Sequence, residues 1–440
     1  MNPMTSTAAL DAAPAVGKAR LAKVSIGLIA LSLFVGTAAK AVLSPMQELV
    51  SVNLGISDTQ MGLIQGLALA IPLALISIPL GRLIDRANRA RLLAVMALSC
   101  AVGSALTAFA HDFAFMFAAR MMVGASVAGA AIAAISLAAD LSDASSRGRV
   151  MMLLGLGQVL GSAVIFSVAG VLLERLPLLL QAAFPAATMA PWRQVQLLCA
   201  AVMLLAALLL FLLREPPRRE VGNAAGRNLR EAMKELWAYR KLMLPLLVGM
   251  MSIGMADAAA NIWAVPVLTR SFHQQPADFG AWMSMVFLVS GIAGTALGGM
   301  LSDFGQKLIG HGGIMLGSVI GAALSIPAAL FPVMSSVPGF GALFFLLLLS
   351  GACAGVASTA AISVLVPNEL RGICMSSFSS VALLMSFGVA PSLVTLAAQV
   401  MGVGADIGKP LAVIGVTTSV IGTLAFLLAM RVARSQARLS

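Results

Sequence analysis

The sequence predicts an all-α membrane protein with twelve transmembrane helices, arranged as two pseudo-symmetric bundles of six. Three observations predict this fold. Of the 440 residues, 60% are hydrophobic and only 10% are charged, with a mean hydropathy of +0.99, whereas a soluble domain carries roughly 25% charged residues. Apolar runs of the ~20 residues that cross a bilayer recur along the chain. Short motifs also recur between its two halves.

The N-terminus is predicted to be a cytoplasmic tail, residues 1–24, and residues 1–17 lack any periodicity that would predict regular structure. Lys18, Arg20 and Lys23 then precede an apolar run, an order that imitates a signal peptide. The run continues to about Val50 without a clear cleavage site. We therefore expect an uncleaved first span.

Twelve apolar runs are long enough to cross a bilayer. In chain order, spans 1 to 12 are predicted at 25–50, 57–80, 92–110, 114–138, 149–172, 193–213, 243–268, 278–300, 313–333, 339–364, 374–399 and 410–430. Spans 1 to 6 would form an N-terminal bundle, residues 25–213, and spans 7 to 12 a C-terminal bundle, residues 242–430. Residues 431–440 would be a second cytoplasmic tail.

The 28 Lys and Arg residues are distributed unevenly between the two sides of this map. Most lie in the tails, the central loop and the loops that follow even-numbered spans. The basic residues in the loops on the opposite side, which follow odd-numbered spans, are Arg175, Arg193, Arg270 and Lys409. Because basic residues favour cytoplasmic loops, both termini are predicted to be cytoplasmic, in a bacterial inner membrane. The same distribution accounts for the net charge of +11 without nucleic acid as a partner.

The central loop, residues 214–241, is predicted to be a cytoplasmic linker between the bundles. Within 228–241, the residues Leu229, Met233, Leu236 and Trp237 recur at helical spacing among basic residues. This pattern predicts an amphipathic helix that lies flat on the membrane surface. Binding of a calmodulin-like partner is the alternative, because any basic amphipathic helix shows the same pattern.

No enzyme, metal centre or cofactor is predicted. The four cysteines, Cys100, Cys199, Cys353 and Cys374, lie in or beside apolar runs and form no C-x-x-C pair, so core packing explains them. Three histidines give a metal site few ligands. Neither a phosphate-binding G-x-x-x-x-G-K-[ST] loop nor a nucleophile–base arrangement occurs.

Two motifs occur once in each half. Gly81 and Asp85 close span 2, and Gly299 and Asp303 close span 8 with the same spacing, 303 − 85 = 218 positions later. Arg147-Gly148 opens span 5, and Arg371-Gly372 opens span 11, 371 − 147 = 224 positions later. This register predicts two parallel six-helix repeats, one of the repeat architectures of transporters.

The stretch GRLIDRANRAR, residues 81–91, resembles the signature loop of the major facilitator superfamily, and the resemblance covers essentially the whole chain. It implies the major facilitator fold and transport by alternating access. It also implies a gating role for Asp85, which would meet the N-terminal end of span 11. The implied gating set is Gly81, Asp85, Arg86, Arg89, Arg147, Gly299, Asp303 and Arg371. The alternative is that the arginines only anchor the topology.

Within the superfamily, residues 54–66 and Glu48 are similar to Spinster-like members. That resemblance implies export of lysophospholipids and sphingoid phosphates, often coupled to protons. The chain departs from the pattern at two places. Ala39-Lys40 stands where the family has Asp-Arg, and Ser126-Val127-Ala128 where it has Gly-Glu-Ala. Both departures remove an acidic group expected of the coupling machinery.

Charged residues at membrane depth are costly unless they face water or a partner, so each is a candidate functional residue. Lys40 and Glu48 lie in span 1, Arg120 in span 4 and Asp257 in span 7, and the superfamily resemblance places these spans around a central cavity. Asp257 follows Lys40 by 257 − 40 = 217 positions, in the register of the repeat. We hypothesise an ion pair between them that opens when substrate binds or when Asp257 is protonated. A static pair, or an Asp257 near water at a helix end, is the alternative.

Asn261, one turn after Asp257, and Gln158 in span 5 complete the predicted substrate and coupling residues. Lys40 and Arg120 together predict an anionic substrate. The sequence thus predicts a monomeric secondary transporter for a small organic anion or a lysolipid-like amphiphile, with membrane lipids as its other partners. Proton coupling through Asp257 or Glu48 stays open. An uncoupled facilitator and a transport-inactive membrane sensor are the alternatives.

Overall fold

A computed structural model describes residues 8–73, 75, 87–143, 146–183, 189–217, 235, 237–404 and 406–437. These residues form helices joined by turns, with no strand among them. Eleven of the described helices are long and apolar enough to cross a membrane. They correspond to spans 1 and 3 to 12. Span 2 begins with the helix Asp58–Gln65 and continues through 67–73, beyond which its predicted end lies largely outside the described residues.

The helices before the linker are Ala8–Ala41 and Gln47–Leu54 in span 1, Asp58–Gln65 in span 2, Arg89–Ala108, Phe113–Leu141, Arg147–Ala183 and Pro191–Leu210. Those after it are Arg240–Ser271, Pro276–Ile309, Leu316–Ala328, Val337–Leu365, Asn368–Leu383 and Ala390–Met401 in span 11, and Gly408–Ala437.

Several helices extend beyond the predicted spans. The first begins at Ala8, which corrects the expectation of an irregular tail for the described part of residues 1–17. Arg175 and Arg270, expected in loops, lie inside the helices of spans 5 and 7. The predicted linker helix, 228–241, lies mostly outside the described residues.

Polar N-caps fix where several spans begin. The side chains of Ser57, Asn88, Asp112 and Ser336 each accept a hydrogen bond from the backbone N–H three residues later. Such caps satisfy backbone donors that the first turn of a helix leaves without a partner. They set the positions at which spans 2, 3, 4 and 10 begin.

Two spans are interrupted near their middle or end. In span 1, a 3₁₀ turn at Ser44–Met46 contains Pro45, which cannot donate a backbone hydrogen bond. In span 11, a π-helical segment covers Leu384–Val389 and is followed by Pro391. Short π-helical segments occur often at functional sites.

In the part of the chain that the structure describes, hydrophobic side chains form three buried clusters, and their positions show how the halves meet. We call the end of the bundle that carries Arg89, Arg147 and Ala437 the proximal end, and the opposite end the distal end. One cluster combines residues from both halves, including Met46, Trp192, Trp263 and Phe340. Each of the other two clusters belongs to one half only, 29–213 or 242–433, and lies toward the proximal end. The halves therefore share a core distally and have separate cores proximally.

Spans 5 and 8 pack closely across the interface between the halves. A Cβ atom on Gly170 would lie 2.5 Å from the carbonyl oxygen of Pro276, and one on Gly280 would lie 2.6 Å from that of Phe166. Ser284 also donates a hydrogen bond to the carbonyl of Ala163 at 2.6 Å. Only glycine permits the backbones to approach this closely.

Candidate functional site

A cavity of about 240 Å³ lies between the two halves at the middle of the bundle. Thr37, Lys40 and Ser44 line it from span 1, and Asp257 and Asn261 line it from span 7. The repeat register predicted that Lys40 and Asp257 face one another, and the structure places both in the wall of this central cavity. The site thus carries one cationic and one acidic side chain, contributed by opposite halves.

Lys40 lies in the last turn before the break in span 1. Its Nζ atom lies 3.8 Å from the ring centroid of Phe387, in the π-helical segment of span 11. This is a cation–π contact between the halves. The sequence offered no signal for it, because Phe387 is one apolar residue within an apolar run.

Asp257 packs against span 10 at Gly351. A Cβ atom on Gly351 would lie 3.2 Å from Oδ1 of Asp257, so the absence of a side chain there makes room for the carboxylate. One turn later, Asn261 donates from Nδ2 to the backbone carbonyl of Asp257 at 2.8 Å. The hypothesised Lys40–Asp257 ion pair is not among the ion pairs of the described residues in this conformation.

Arg120 is fully buried in span 4 and is engaged by backbone groups. Its Nη1 atom donates to the carbonyl of Ala39 at 2.9 Å and its Nη2 atom to that of Lys40 at 2.7 Å. These carbonyls lie at the end of the first helix, where no helical N–H is available to them. Of the two predicted cations, Arg120 thus binds the carbonyl groups at the end of the first helix, and Lys40 presents its ammonium to the cavity.

Two further cavities flank the central one. A cavity of about 180 Å³ lies toward the N-terminal half and is lined by Lys40, Leu73 and Val127. Another, of about 290 Å³, lies toward the C-terminal half and is lined by Asp257, Met250 and Ser379. We call them the N-side and C-side cavities. Val127, which stands where the resemblance expects a glutamate, gives the N-side cavity an apolar wall.

A chain of neutral polar groups borders the central cavity on its distal side. Ser44 donates from Oγ to Oε1 of Gln65 at 2.8 Å, and Gln65 donates to Gln47. Gln47 in turn donates to the carbonyl of Ile262 at 3.0 Å. The chain joins spans 1, 2 and 7. Sequence reasoning did not find these residues, because uncharged amides in an apolar run do not stand out as Lys40 does.

Glu48 belongs to an ion-pair cluster at the distal end, which we call the distal clamp. Arg270, at the end of span 7, binds Glu48 with Nη2–Oε1 and Nε–Oε2 distances of 2.9 and 3.1 Å. It also binds Asp58, at the start of span 2, with distances of 2.7 Å from Nη1 and 2.6 Å from Nη2. Glu48 and Asp58 come from the N-terminal half and Arg270 from the C-terminal half. The distal clamp therefore ties the halves together.

Part of the predicted gating set lies outside the described residues, namely Gly81, Asp85 and Arg86. Arg89 is buried at the proximal end, where it binds Asp140 at 2.5 Å and Glu215 at 2.7 Å. It therefore connects spans 3 and 4 to the start of the linker that follows span 6. Arg147 donates to the carbonyl of Ala139 at 3.4 Å.

The remaining predicted residues are spread over the surface and the proximal end. Gly299 has open space where a Cβ atom would lie, whereas its neighbour Gly298 packs against the backbone of Cys353. Asp303 is exposed and Arg371 is half-buried. Gln158 is exposed in span 5 and is not among the residues that line the three cavities.

Comparison with known proteins identifies one matching family and several proteins of similar fold. The family model described as the Major Facilitator Superfamily matches residues 29–391. The fold is similar to the crystal structure of a bacterial homolog to the human lysosomal transporter Spinster, inward-facing and unoccupied, with a TM-score of 0.80 at 18% identity over 94% of this chain and 97% of that one. A nucleoside transporter, NupG, aligns with a TM-score of 0.72 at 13% identity over 92% and 99% of the chains. No curated protein matches the sequence.

Proposed function

The chain belongs to the major facilitator superfamily and is a multi-pass membrane transporter, and from this premise we propose that it moves a small organic anion or a lysolipid-like amphiphile by alternating access. The observation that carries the proposal is the central cavity, where Lys40 and Asp257 face one solvent-accessible space from opposite halves. A solute bound between them would contact both halves at once. Its binding energy would therefore depend on how the halves are oriented.

The distribution of contacts between the halves supports alternating access. A shared core and the distal clamp close the distal end, and the proximal ends have separate cores. With cytoplasmic termini, this arrangement corresponds to an inward-facing conformation. The outward-facing conformation would require the distal clamp to separate.

The cavity chemistry supports a substrate with an anionic group beside an apolar part. Among the described residues that line the central and N-side cavities, Lys40 carries the cationic group, and Arg120 is engaged by carbonyl groups. The N-side cavity next to Lys40 is lined almost entirely by apolar side chains, including Leu69, Leu73 and Val127. An anionic head at Lys40 would thus place an attached alkyl or aromatic group against an apolar wall.

A ligand screen by thermal unfolding tests the substrate class. The purified protein is heated with lysolipids, phosphorylated metabolites or carboxylates, because a ligand at 100-fold its Kd stabilises the native state by about 2.7 kcal/mol. We expect an anion to raise the unfolding temperature of the wild type and of Lys409→Met, a control at an exposed lysine. The same anion should not stabilise Lys40→Met. Equal stabilisation of both variants would contradict an anion site at Lys40.

We further propose that protons couple to transport through Asp257. In proteoliposomes loaded with a hit from the screen, a pH gradient should drive accumulation by the wild type. Asp257→Asn cannot exchange a proton at this position, so it should retain flux down a concentration gradient and lose accumulation driven by pH. If Asp257→Asn accumulates the solute as the wild type does, the coupling group lies elsewhere.

An uncoupled facilitator is the second candidate, and Val127 favours it. Val127 lines the N-side cavity at the place where the Spinster-like pattern has a glutamate. A wild type that equilibrates the solute but never concentrates it under a pH gradient would establish this alternative. Ligand binding without any flux would instead support a sensor.

A further inference from the structure

Of the residues that the structure describes, Phe387 alone borders the central, N-side and C-side cavities together. It lines all three, whereas Lys40 lines two of them and Asp257 a different pair. Its ring centroid lies 3.8 Å from the Lys40 ammonium nitrogen. The ring therefore covers one face of the cation and stands where the three spaces meet.

The backbone that carries this ring is fixed by contacts across the interface between the halves. A Cβ atom on Gly66 of span 2 would overlap the carbonyl oxygen of Phe387, so the two backbones touch. A Cβ atom on Gly388 would lie 3.1 Å from Cδ1 of Leu67 and 3.8 Å from Cβ of Ala70. The π-helical geometry of Leu384–Val389 sets the direction of the side chain between these contacts. The ring is thus held in place by spans 2 and 11.

An aromatic ring over an ammonium has two effects on a solute that approaches it. The electron-rich face stabilises the cation in the absence of any anion. The ring also occupies volume beside Nζ, so a bulky group can reach the nitrogen only if the ring moves. Leucine would retain much of the apolar bulk without the aromatic face, tyrosine would retain both, and alanine would retain neither.

We infer that Phe387 is a specificity-determining residue of the transport cavity: its ring covers the Lys40 ammonium, separates the three cavities, and limits the size of the group that reaches Lys40. The inference rests on the proposed function, because it assigns the size limit of the same site. It adds a residue that contacts the substrate from span 11. The solutes that pass this limit carry a compact anionic group.

Chemical modification of Lys40 measures the size limit without a known substrate. The purified protein is treated at one pH with cyanate, a small amine reagent, or with a bulky sulfosuccinimidyl biotin ester, and modification of Lys40 is quantified by mass spectrometry. Lys409, an exposed lysine, serves as the internal standard. We expect cyanate to modify Lys40 in the wild type much more than the bulky reagent does, relative to Lys409.

The variants decide what the ring contributes. Phe387→Ala, which removes the bulk beside Nζ, should raise modification by the bulky reagent several-fold relative to cyanate. Phe387→Leu, which keeps much of the bulk, should raise it less, and Phe387→Tyr should resemble the wild type. Phe378→Leu is the matched control, because Phe378 lies in the same span but is buried in the C-terminal core. It should leave the ratio of the two reagents unchanged.

The inference would be overturned if Phe387→Ala and Phe387→Leu both kept the wild-type ratio of the two reagents, or if both reagents modified Lys40 equally in the wild type. If Phe387→Ala does not fold, the leucine and tyrosine variants give the answer alone. The labelling result does not depend on flux. A size limit at Lys40 in a protein that fails every transport assay would therefore sustain this inference and contradict the proposed function.

Discussion

The Asp257 carboxylate occupies space that the missing side chain of Gly351 leaves open, which permits a matched pair of substitutions. Gly351→Ala would place a methyl group 3.2 Å from Oδ1, whereas Gly355→Ala, one turn later, meets nothing within 4 Å. Both changes reduce the entropy of the unfolded chain, an effect of about 0.4–1 kcal/mol. We expect Gly355→Ala to raise the apparent unfolding temperature and Gly351→Ala to raise it less or to lower it. Equal shifts would show that Asp257 does not depend on this space.

Arg120 supplies a second prediction at the level of one residue. Its planar guanidinium spans two carbonyls at the end of the first helix, a geometry that the single ammonium of lysine cannot reproduce. Arg120→Lys should therefore lose one charge-assisted hydrogen bond and about 1.5–3 kcal/mol of stability. Thermal unfolding of the purified variant measures this loss. A variant as stable as the wild type would contradict the assigned role.

The cavity residues that could be predicted from the sequence were mainly the charged ones. Lys40 and Asp257 stand out because an ionisable group in an apolar run requires an explanation, and Asn261 follows from helical spacing. The structure places Glu48 in the distal clamp and Arg120 against carbonyl groups, because charge alone does not say which partner a side chain finds. Phe387, Gln47 and Gln65 carry no charge and so gave no signal.

At the level of elements, the distal clamp joins the start of span 2 and the end of span 1 to the end of span 7. Arg270→Gln removes its charge and should shift the protein toward a distally open conformation by about 1 kcal/mol, roughly fivefold in the ratio of the two states. Arg193→Gln is the control. Arg193 is also at the distal end but binds the carbonyls of Ala108 and Ala110 within its own half.

Spin labels on Val52 and Val400 can measure this opening. The two residues are 83% and 81% exposed and lie distally on opposite halves. Pulsed electron resonance should show a larger population at long distance in Arg270→Gln and an unchanged distribution in Arg193→Gln. An unchanged distribution in both would show that the shared core alone keeps the distal end closed.

The boundaries of elements were predictable where a polar cap precedes an apolar run, as at Asn88 and Asp112. The interruptions were not. Pro45 and Pro391 stand within continuous apolar runs, where length alone predicts an unbroken span. The π-helical segment before Pro391 depends on contacts with span 2 that are remote in sequence. Tertiary contacts therefore determine the geometry around Lys40, while local sequence determines the spans.

For the whole molecule, the distribution of basic residues predicts the orientation in the membrane. All four cysteines are buried, so an added surface cysteine should dominate labelling. A membrane-impermeant thiol reagent applied to intact cells should modify Lys409→Cys readily. It should modify Arg434→Cys only after the membrane is opened. The reverse result would place both termini outside.

The internal repeat predicted two similar halves, and the separate proximal cores agree with that prediction. The repeat did not predict which end is closed. The inward-facing and outward-facing conformations of such a fold contain the same spans in the same order. They differ only in the contacts between the halves. The closed end depends on side chains such as Arg270 and Glu48, whose pairing a single sequence does not reveal.

The glycine contact between spans 5 and 8 has a mechanical consequence. Rigid bodies that rotate about a close contact move least near the pivot and progressively more with distance from it. Gly170 and Gly280 allow the two backbones to touch at the distal end. A small change in the angle between the halves at this contact therefore becomes a wide displacement at the proximal end. A bulky residue at either glycine would push the two helices apart and change the angle between the halves. Its effect would be largest at the mouth of the cavity, far from the substitution itself.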